Sequence, residues 1–219
     1  MLALIAVTVL SSTPCPPGES LEGGAHRRLE TSRGAVHLWC RGEFDSVVFY
    51  VHGYRDTVGS AFATHRLAWQ FAASKKAALF IAVAAPSGPG EKVVFDELDA
   101  LVDELSATLQ LALPEQTTLV GHSGGNRTLR AWLRSARATD VVLLDGFYGD
   151  PSAWTRWLSA RPDAALRMVG EHTRQRADRW RAGLPRPLRV RVTLLPANAS
   201  HMQIVTAGEW IPAMVARSR

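Results

Sequence analysis

The chain has 219 residues, 47% of them hydrophobic and 21% charged, which fits one globular domain with a sizeable core. It holds no internal repeat and no long low-complexity stretch, which excludes solenoids and extended disordered arms. The net charge of +5 is carried almost wholly by arginine, and its densest run, 174–181, is interrupted by Asp178 at helical spacing, so it reads as a solvated helix face and nucleic acid is not an expected partner.

In chain order, residues 2–10 are apolar and are followed by Ser11-Ser12-Thr13-Pro14-Cys15-Pro16-Pro17-Gly18. That outline suits a short export signal within residues 1–18 and is too short to cross a bilayer, so no integral span is expected. Secretion or a periplasmic location follows; the alternative is a first strand of a cytoplasmic domain, since a basic start is missing. Cys15 and Cys40 either pair in an oxidising compartment or are buried thiols. There is no CxxC and no His/Cys cluster, so neither a metal nor a cofactor is expected.

Residues 19–219 are expected to form one domain. Segments 26–31 and 35–41 flank Ser32-Arg33-Gly34 as a β-hairpin. Segment 46–52 is a continuous apolar strand, 60–75 a helix, 77–84 a strand, and 95–111 a helix with apolar Leu98, Leu101, Val102, Leu105 and Leu109. Strands follow at 117–121, 140–145, 165–170 and 188–195, separated by helices after Ser123, at 152–158 and at 173–182, with a closing helix over 204–218. Continuous apolar strands alternating with amphipathic helices predict an α/β fold: a mostly parallel sheet covered on both faces, with the hairpin as an antiparallel edge. In such sheets reactive groups collect at the carboxyl ends of the strands.

The informative strand end is Thr117-Thr118-Leu119-Val120-Gly121-His122-Ser123-Gly124-Gly125. An apolar run enters a G-x-S-x-G turn and leaves as a helix, the context a nucleophile elbow requires. Gly121 and Gly125 would let strand and helix cross closely, with Ser123 strained at the apex. At the end of strand 46–52, His52-Gly53-Tyr54 offers the backbone N–H of Tyr54 to an oxyanion hole, and Gly124 offers the second. His52 and His122 read as structural histidines. The base is expected late in the chain, and His201 in the loop after the last strand is the candidate. His26 and His37 fall in the hairpin, His65 on a helix and His172 near a strand end. For the acid, Asp145 is preferred to Glu171: it closes a four-residue apolar run and needs a partner, whereas an ordinary ion pair explains Glu171. Asp56 and Asp150 read as solvated turn residues.

Together the segments VVFYVHGY, LVGHSGG, VLLDG and NASHMQIV resemble the α/β-hydrolase superfamily from about Val47 onward. The resemblance implies an eight-stranded type of sheet and a Ser/Asp/His mechanism. Lipases of the pancreatic type carry their acid where Asp145 stands; the commoner placement corresponds to Glu171. With no long insertion between Asp145 and Ala165, a lid is not expected. The expected activity is cleavage of a small-molecule or lipid-like carboxylic ester through an acyl-enzyme, with Ser123, Asp145 and His201 catalytic. An amidase, peptidase or acyltransferase with the same triad, and a non-catalytic binding protein on the same fold, are the alternatives. Phe147, Tyr148 and Trp154 can line an acyl pocket, or Phe147 and Trp154 can belong to the core; Met202 and Ile204 can form another wall. Arg127 and Arg55 can meet an anionic substrate group or sit in surface ion pairs.

Overall fold

A computed structural model describes residues 12–216, so the apolar run 2–10 and residues 217–218 of the expected closing helix lie outside the described residues. Eleven strands and nine helices follow in order among the described residues. The strands are β1 (Thr13–Pro14), β2 (Glu19–Leu21), β3 (Gly24–Glu30), β4 (Ala35–Cys40), β5 (Glu43–Phe44), β6 (Ser46–Val51), β7 (Ala78–Val83), β8 (Thr117–His122), β9 (Asp140–Leu144), β10 (Ala165–Gly170) and β11 (Val192–Pro196). The helices are α1 (Val58–Thr64), α2 (Leu67–Ser74), α3 (Leu98–Leu109), α4 (Asn126–Trp132), α5 (Ser152–Ala160), α6 (Arg174–Ala182), α7 (Arg186–Arg189), α8 (Gln203–Thr206) and α9 (Trp210–Ala216).

Nine strands form one sheet in the order β11-β10-β9-β8-β6-β7-β4-β3-β2, one more than the eight expected. From β11 to β7 every pairing is parallel, and β4, β3 and β2 extend that sheet antiparallel, so the expected edge hairpin is widened by β2. Side chains alternate along each central strand. Val47, Phe49 and Val51 of β6 enter one core layer with α3, α4, α5 and α6. Val48 and Tyr50 enter the other, with α1, α2, α8 and α9. A sheet buried on both faces has no polar side to show water, which explains the continuous apolar runs.

Three expected elements differ. The helix over 60–75 is two helices broken at His65 and Arg66, the latter at φ 50°. The break is held by buried contacts: the His65 ring bonds the Tyr50 hydroxyl at 2.9 Å, and Gln70 Nε2 donates to the His65 carbonyl and, at 2.7 Å, to that of Val205. The strand expected over 188–195 begins at Val192, because Pro185-Arg186-Pro187 starts the short helix α7. The closing helix is interrupted at Gly208, where φ is 84° and a Cβ would lie 2.3 Å from the Trp69 ring.

Upstream of the sheet, β1 pairs with β5 and Cys15 forms a disulfide with Cys40 of β4, their Cα atoms 5.8 Å apart. Residues of the expected leader segment are therefore packed into the domain. The bridge closes a sequence separation of 25 residues, so Cys40→Ala should lower unfolding free energy by about 3 kcal/mol through the freer unfolded chain. Urea denaturation of oxidised wild type and variant checks this, and equal midpoints would contradict it.

Candidate active site

The order of the sheet reverses at β6, with β7 on one side and β8 on the other. The crevice beyond their carboxyl ends is a topological switch point, where open α/β sheets place ligands. The turns leaving β6 and β8 meet there. A Cβ on Gly53 would come within 2.9 Å of Ser123 Cβ, and one on Gly124 within 2.5 Å of the Tyr54 ring. Register brings the other strand ends alongside: His122 is level with Leu144, Leu144 with Val169, and Gly170 with Pro196. Ser123 and Asp145 therefore follow neighbouring strands by one residue, and His201 lies five residues past Pro196.

Ser123 has φ 49°, a left-handed conformation that costs a non-glycine residue about 1–3 kcal/mol. Its neighbours show why the turn is so tight. A Cβ at Gly121 would meet Leu129 of α4 at 2.7 Å, and one at Gly125 would meet the Val51 carbonyl oxygen at 2.6 Å. A 3₁₀ turn, Ser123–Gly125, runs straight into α4, and Asn126 Nδ2 donates to the Ser123 carbonyl at 2.9 Å. Ser123 borders a cavity of about 470 Å³ lined also by Tyr54, Gly124, Arg127, Arg130 and Tyr148.

Asp145 is fully buried at φ 45°. Its Oδ2 accepts from His201 Nδ1 at 2.7 Å and from the His172 N–H at 3.2 Å. Its Oδ1 accepts from the N–H groups of Glu171 at 3.1 Å and Thr173 at 2.8 Å, and from the Thr173 hydroxyl at 2.8 Å. Burial alone would raise its pKa, but the bonds from His201, Thr173 and His172 outweigh burial and hold the carboxyl well below the usual range. Thr173 and the two N–H groups before it have no sequence signal that marks them as donors to a carboxylate. A threonine at a helix start signals a cap, yet here it makes no capping bond and its hydroxyl serves the carboxylate instead.

Glu171, the rival acid, is exposed and pairs with His172 Nε2 at 2.9 Å. The His172 ring stacks on His201 at 5.1 Å between centroids and 9° between planes. Among the described residues no hydrogen bond joins Ser123 Oγ to His201. Contacts of this kind are often long until substrate tightens them. Asp145, His172 and His201 do offer ligand atoms within 4.8 Å of one another, as a metal would need. The two stacked rings point their lone pairs in parallel rather than toward one centre, and Asp145 Oδ2 is already bonded to His201, so the arrangement suits an oriented imidazole better than a chelate.

His52 and His122 are locked inside. His52 Nδ1 donates to the Gly53 carbonyl at 2.8 Å and Nε2 accepts from the Ala85 N–H at 3.0 Å, which fixes a neutral tautomer that turns both nitrogens to backbone. His122 lies between His65 and His201, with ring centroids 5.9 and 4.7 Å away. Burial first, then the charges of His201 and His65, push its pKa down to about 3.

Several expected pocket residues are elsewhere. Phe147 and Trp154 are buried in the core, as is Ile204 on the other face, while Met202 is exposed. Tyr148 does line the cavity. Arg55 is exposed and its N–H donates to the Ser87 carbonyl, outside the cavity wall. Asp56 is not simply a solvated turn residue: its carboxylate lies 3.5 Å from the buried His65 Nε2.

The protein has the α/β-hydrolase fold. Solved structures similar to it include a ferulic acid esterase at 9% identity and TM-score 0.60, covering 89% of this chain and 98% of that one. A dienelactone hydrolase from Anabaena variabilis aligns at 15% identity and TM-score 0.56, covering 89% and 94% of the two chains. An S-formylglutathione hydrolase from Agrobacterium tumefaciens aligns at 12% identity and TM-score 0.52, covering 92% and 99%. No family model and no curated protein sequence matches the chain.

Two predictions follow from this geometry. Relieving the backbone at position 123 should make Ser123→Gly more stable than Ser123→Ala by about 1 kcal/mol, because glycine tolerates positive φ; equal urea midpoints would contradict the strain. The folded state also keeps His122 and His37 neutral, at pKa values pushed down to about 3 and about 4, chiefly by burial. The unfolded chain takes up those protons near pH 6.5, so this stability is full above about pH 6.5 and is lost as pH falls toward the folded values. Between pH 7 and pH 5 each histidine should cost about 2 kcal/mol, read from urea denaturation at the two pH values.

Proposed function

We propose that the protein is a serine hydrolase that cleaves carboxylic esters through an acyl-enzyme. The observation that carries this reading is the buried Asp145 carboxylate at 2.7 Å from His201 Nδ1, at the same sheet edge as the strained Ser123. The contact holds a hydrogen on Nδ1 and leaves Nε2 as the basic nitrogen. His201 Nε2 takes the Ser123 proton as Oγ attacks the ester carbonyl, and Asp145 stabilises the imidazolium that forms. The N–H groups of Gly124 and Tyr54 receive the developing oxyanion. His201 then protonates the leaving alkoxide, and the same base activates water to release the acyl group. The likeness to an esterase and two hydrolases supports ester chemistry.

The Cys15–Cys40 bridge supports an oxidising compartment, and thus export, for this protein. Any cleavage of a leader would fall before Thr13, since Thr13 pairs with Phe44 and Cys15 is bridged.

A fluorophosphonate probe should label wild type at Ser123 and leave Ser123→Ala unlabelled. Asp145→Asn should lower kcat for a 4-nitrophenyl ester by about 10⁴-fold, since the imidazole loses its tautomer and its counter-charge, whereas Glu171→Gln should stay within about threefold. Circular dichroism of each variant separates loss of chemistry from loss of fold. A folded protein that never labels, or activity lost in Glu171→Gln and kept in Asp145→Asn, would overturn the assignment.

A further inference from the structure

Resting on the hydrolase reading, we propose that the substrate is an ester that also carries a carboxylate, and that Arg130 is the residue that binds this second, anionic group. Ser123, Arg127 and Arg130 line the same cavity, Arg127 and Arg130 at i and i+3 on one face of α4 and Ser123 in the turn that leads into it. At 1.5 Å of rise per residue, Arg130 starts about 10 Å along the axis from Ser123, and helical side chains lean back toward the N-terminus. Its guanidinium therefore reaches toward the cavity that the serine borders.

The two arginines differ in what they are bonded to. Arg127 donates to the carbonyls of Gly88, Pro89 and Glu91 at 3.3, 2.9 and 2.8 Å and to the Tyr54 hydroxyl at 3.3 Å. All four acceptors are neutral, so Arg127 pins the loop beside the cavity, and among the described residues no carboxylate pairs with its charge. Arg130 is half-buried, and among the described residues no group accepts a hydrogen bond from it. Asp150, held by the N–H of Ser152 at 3.0 Å and by its hydroxyl, feels the charge of Arg130 without a hydrogen bond or ion pair to it among the described residues, so the guanidinium donors remain open toward the cavity. Among the described residues, none that lines the wall is acidic.

The opposite wall is shaped around the guanidinium. Gly149 has φ 71°, and a Cβ there would lie 2.8 Å from Arg130 Nη1. Arg176 donates to the Gly149 carbonyl and so fixes the turn that faces Arg130. Partly desolvated guanidinium groups with unused donors favour a planar oxyanion that accepts two parallel N–H bonds. A carboxylate on the substrate supplies that partner, and Tyr148 at the cavity wall adds a hydroxyl donor.

The test uses a matched pair, mono-4-nitrophenyl adipate and its methyl ester, which differ in charge and hardly in length. Wild type should prefer the acid by about 10- to 100-fold in kcat/KM, expressed mainly in KM and weakened by salt. Arg130→Gln should bring the ratio close to unity, and Arg130→Lys should restore part of it. Equal turnover of the two esters by wild type, or an unchanged ratio in Arg130→Gln, would overturn the proposal and leave the hydrolase reading standing. If neither ester is cleaved and Ser123 never labels, the hydrolase reading fails instead. Calorimetric titration of monomethyl adipate and dimethyl adipate into Ser123→Ala then decides the anion site separately. Tighter binding of the acid, lost in Ser123→Ala/Arg130→Gln, supports it, and equal binding overturns it.

Discussion

A fully buried carboxylate at the end of β9 is the constraint on which the candidate site depends. An ionised Asp145 without partners would cost several kcal/mol, so the surrounding chain must supply donors. Five hydrogen bonds do so: three from the backbone at Glu171, His172 and Thr173, one from the Thr173 hydroxyl and one from His201. They join the end of β9 to the junction of β10 and α6 and to the loop after β11. The same bonds that keep the charge inside the protein also orient the imidazole. Stability and site geometry are thus one arrangement, since removing the charge leaves buried N–H groups unpaired.

The sheet makes that arrangement reachable. Parallel register sets the ends of β8, β9 and β10 side by side, so residues far apart in sequence arrive at one edge without a long reach. Ser123 and Asp145 both leave their strands with positive φ, a backbone uncommon outside glycine and better tolerated by aspartate than by serine. That strain is tolerated because the strands and helices on either side are rigidly packed in two apolar layers. The break between α1 and α2 belongs to the same logic: Gln70 reaches from α2 to the carbonyls of His65 and Val205 and fastens α8, just beyond His201, to the far face of the sheet.

Charge around the crevice is arranged unevenly. On the side of His201, the carboxylates of Asp145 and Glu171 each face an imidazole, and His172 stacks flat against the candidate base. Arg127 and Arg130 stand on α4 in the cavity wall, where none of the described lining residues is acidic. The buried His52, His65 and His122 lie beneath, their pKa values lowered chiefly by burial; His52 and His65 act as neutral hydrogen-bonding groups and His122 as neutral packing.

The local pattern of the chain was enough to indicate the doubly covered parallel sheet, the elbow at Ser123, and the candidates Asp145 and His201. Continuous apolar strands and glycines flanking a serine each have a short-range physical cause, and that cause is written in adjacent residues. What neighbouring residues could not express were contacts across the fold. The helix break at Arg66 answers to Tyr50 and Val205, the Gly208 break to Trp69, and the clamp of Thr173 on Asp145 spans two strands. Likewise Arg130 looks in sequence like any helix-surface arginine. Only the packing of α4 against the β9–α5 loop turns it toward the serine's cavity, because the surroundings of a long charged side chain are set by what folds beside it and not by its own neighbours in the chain.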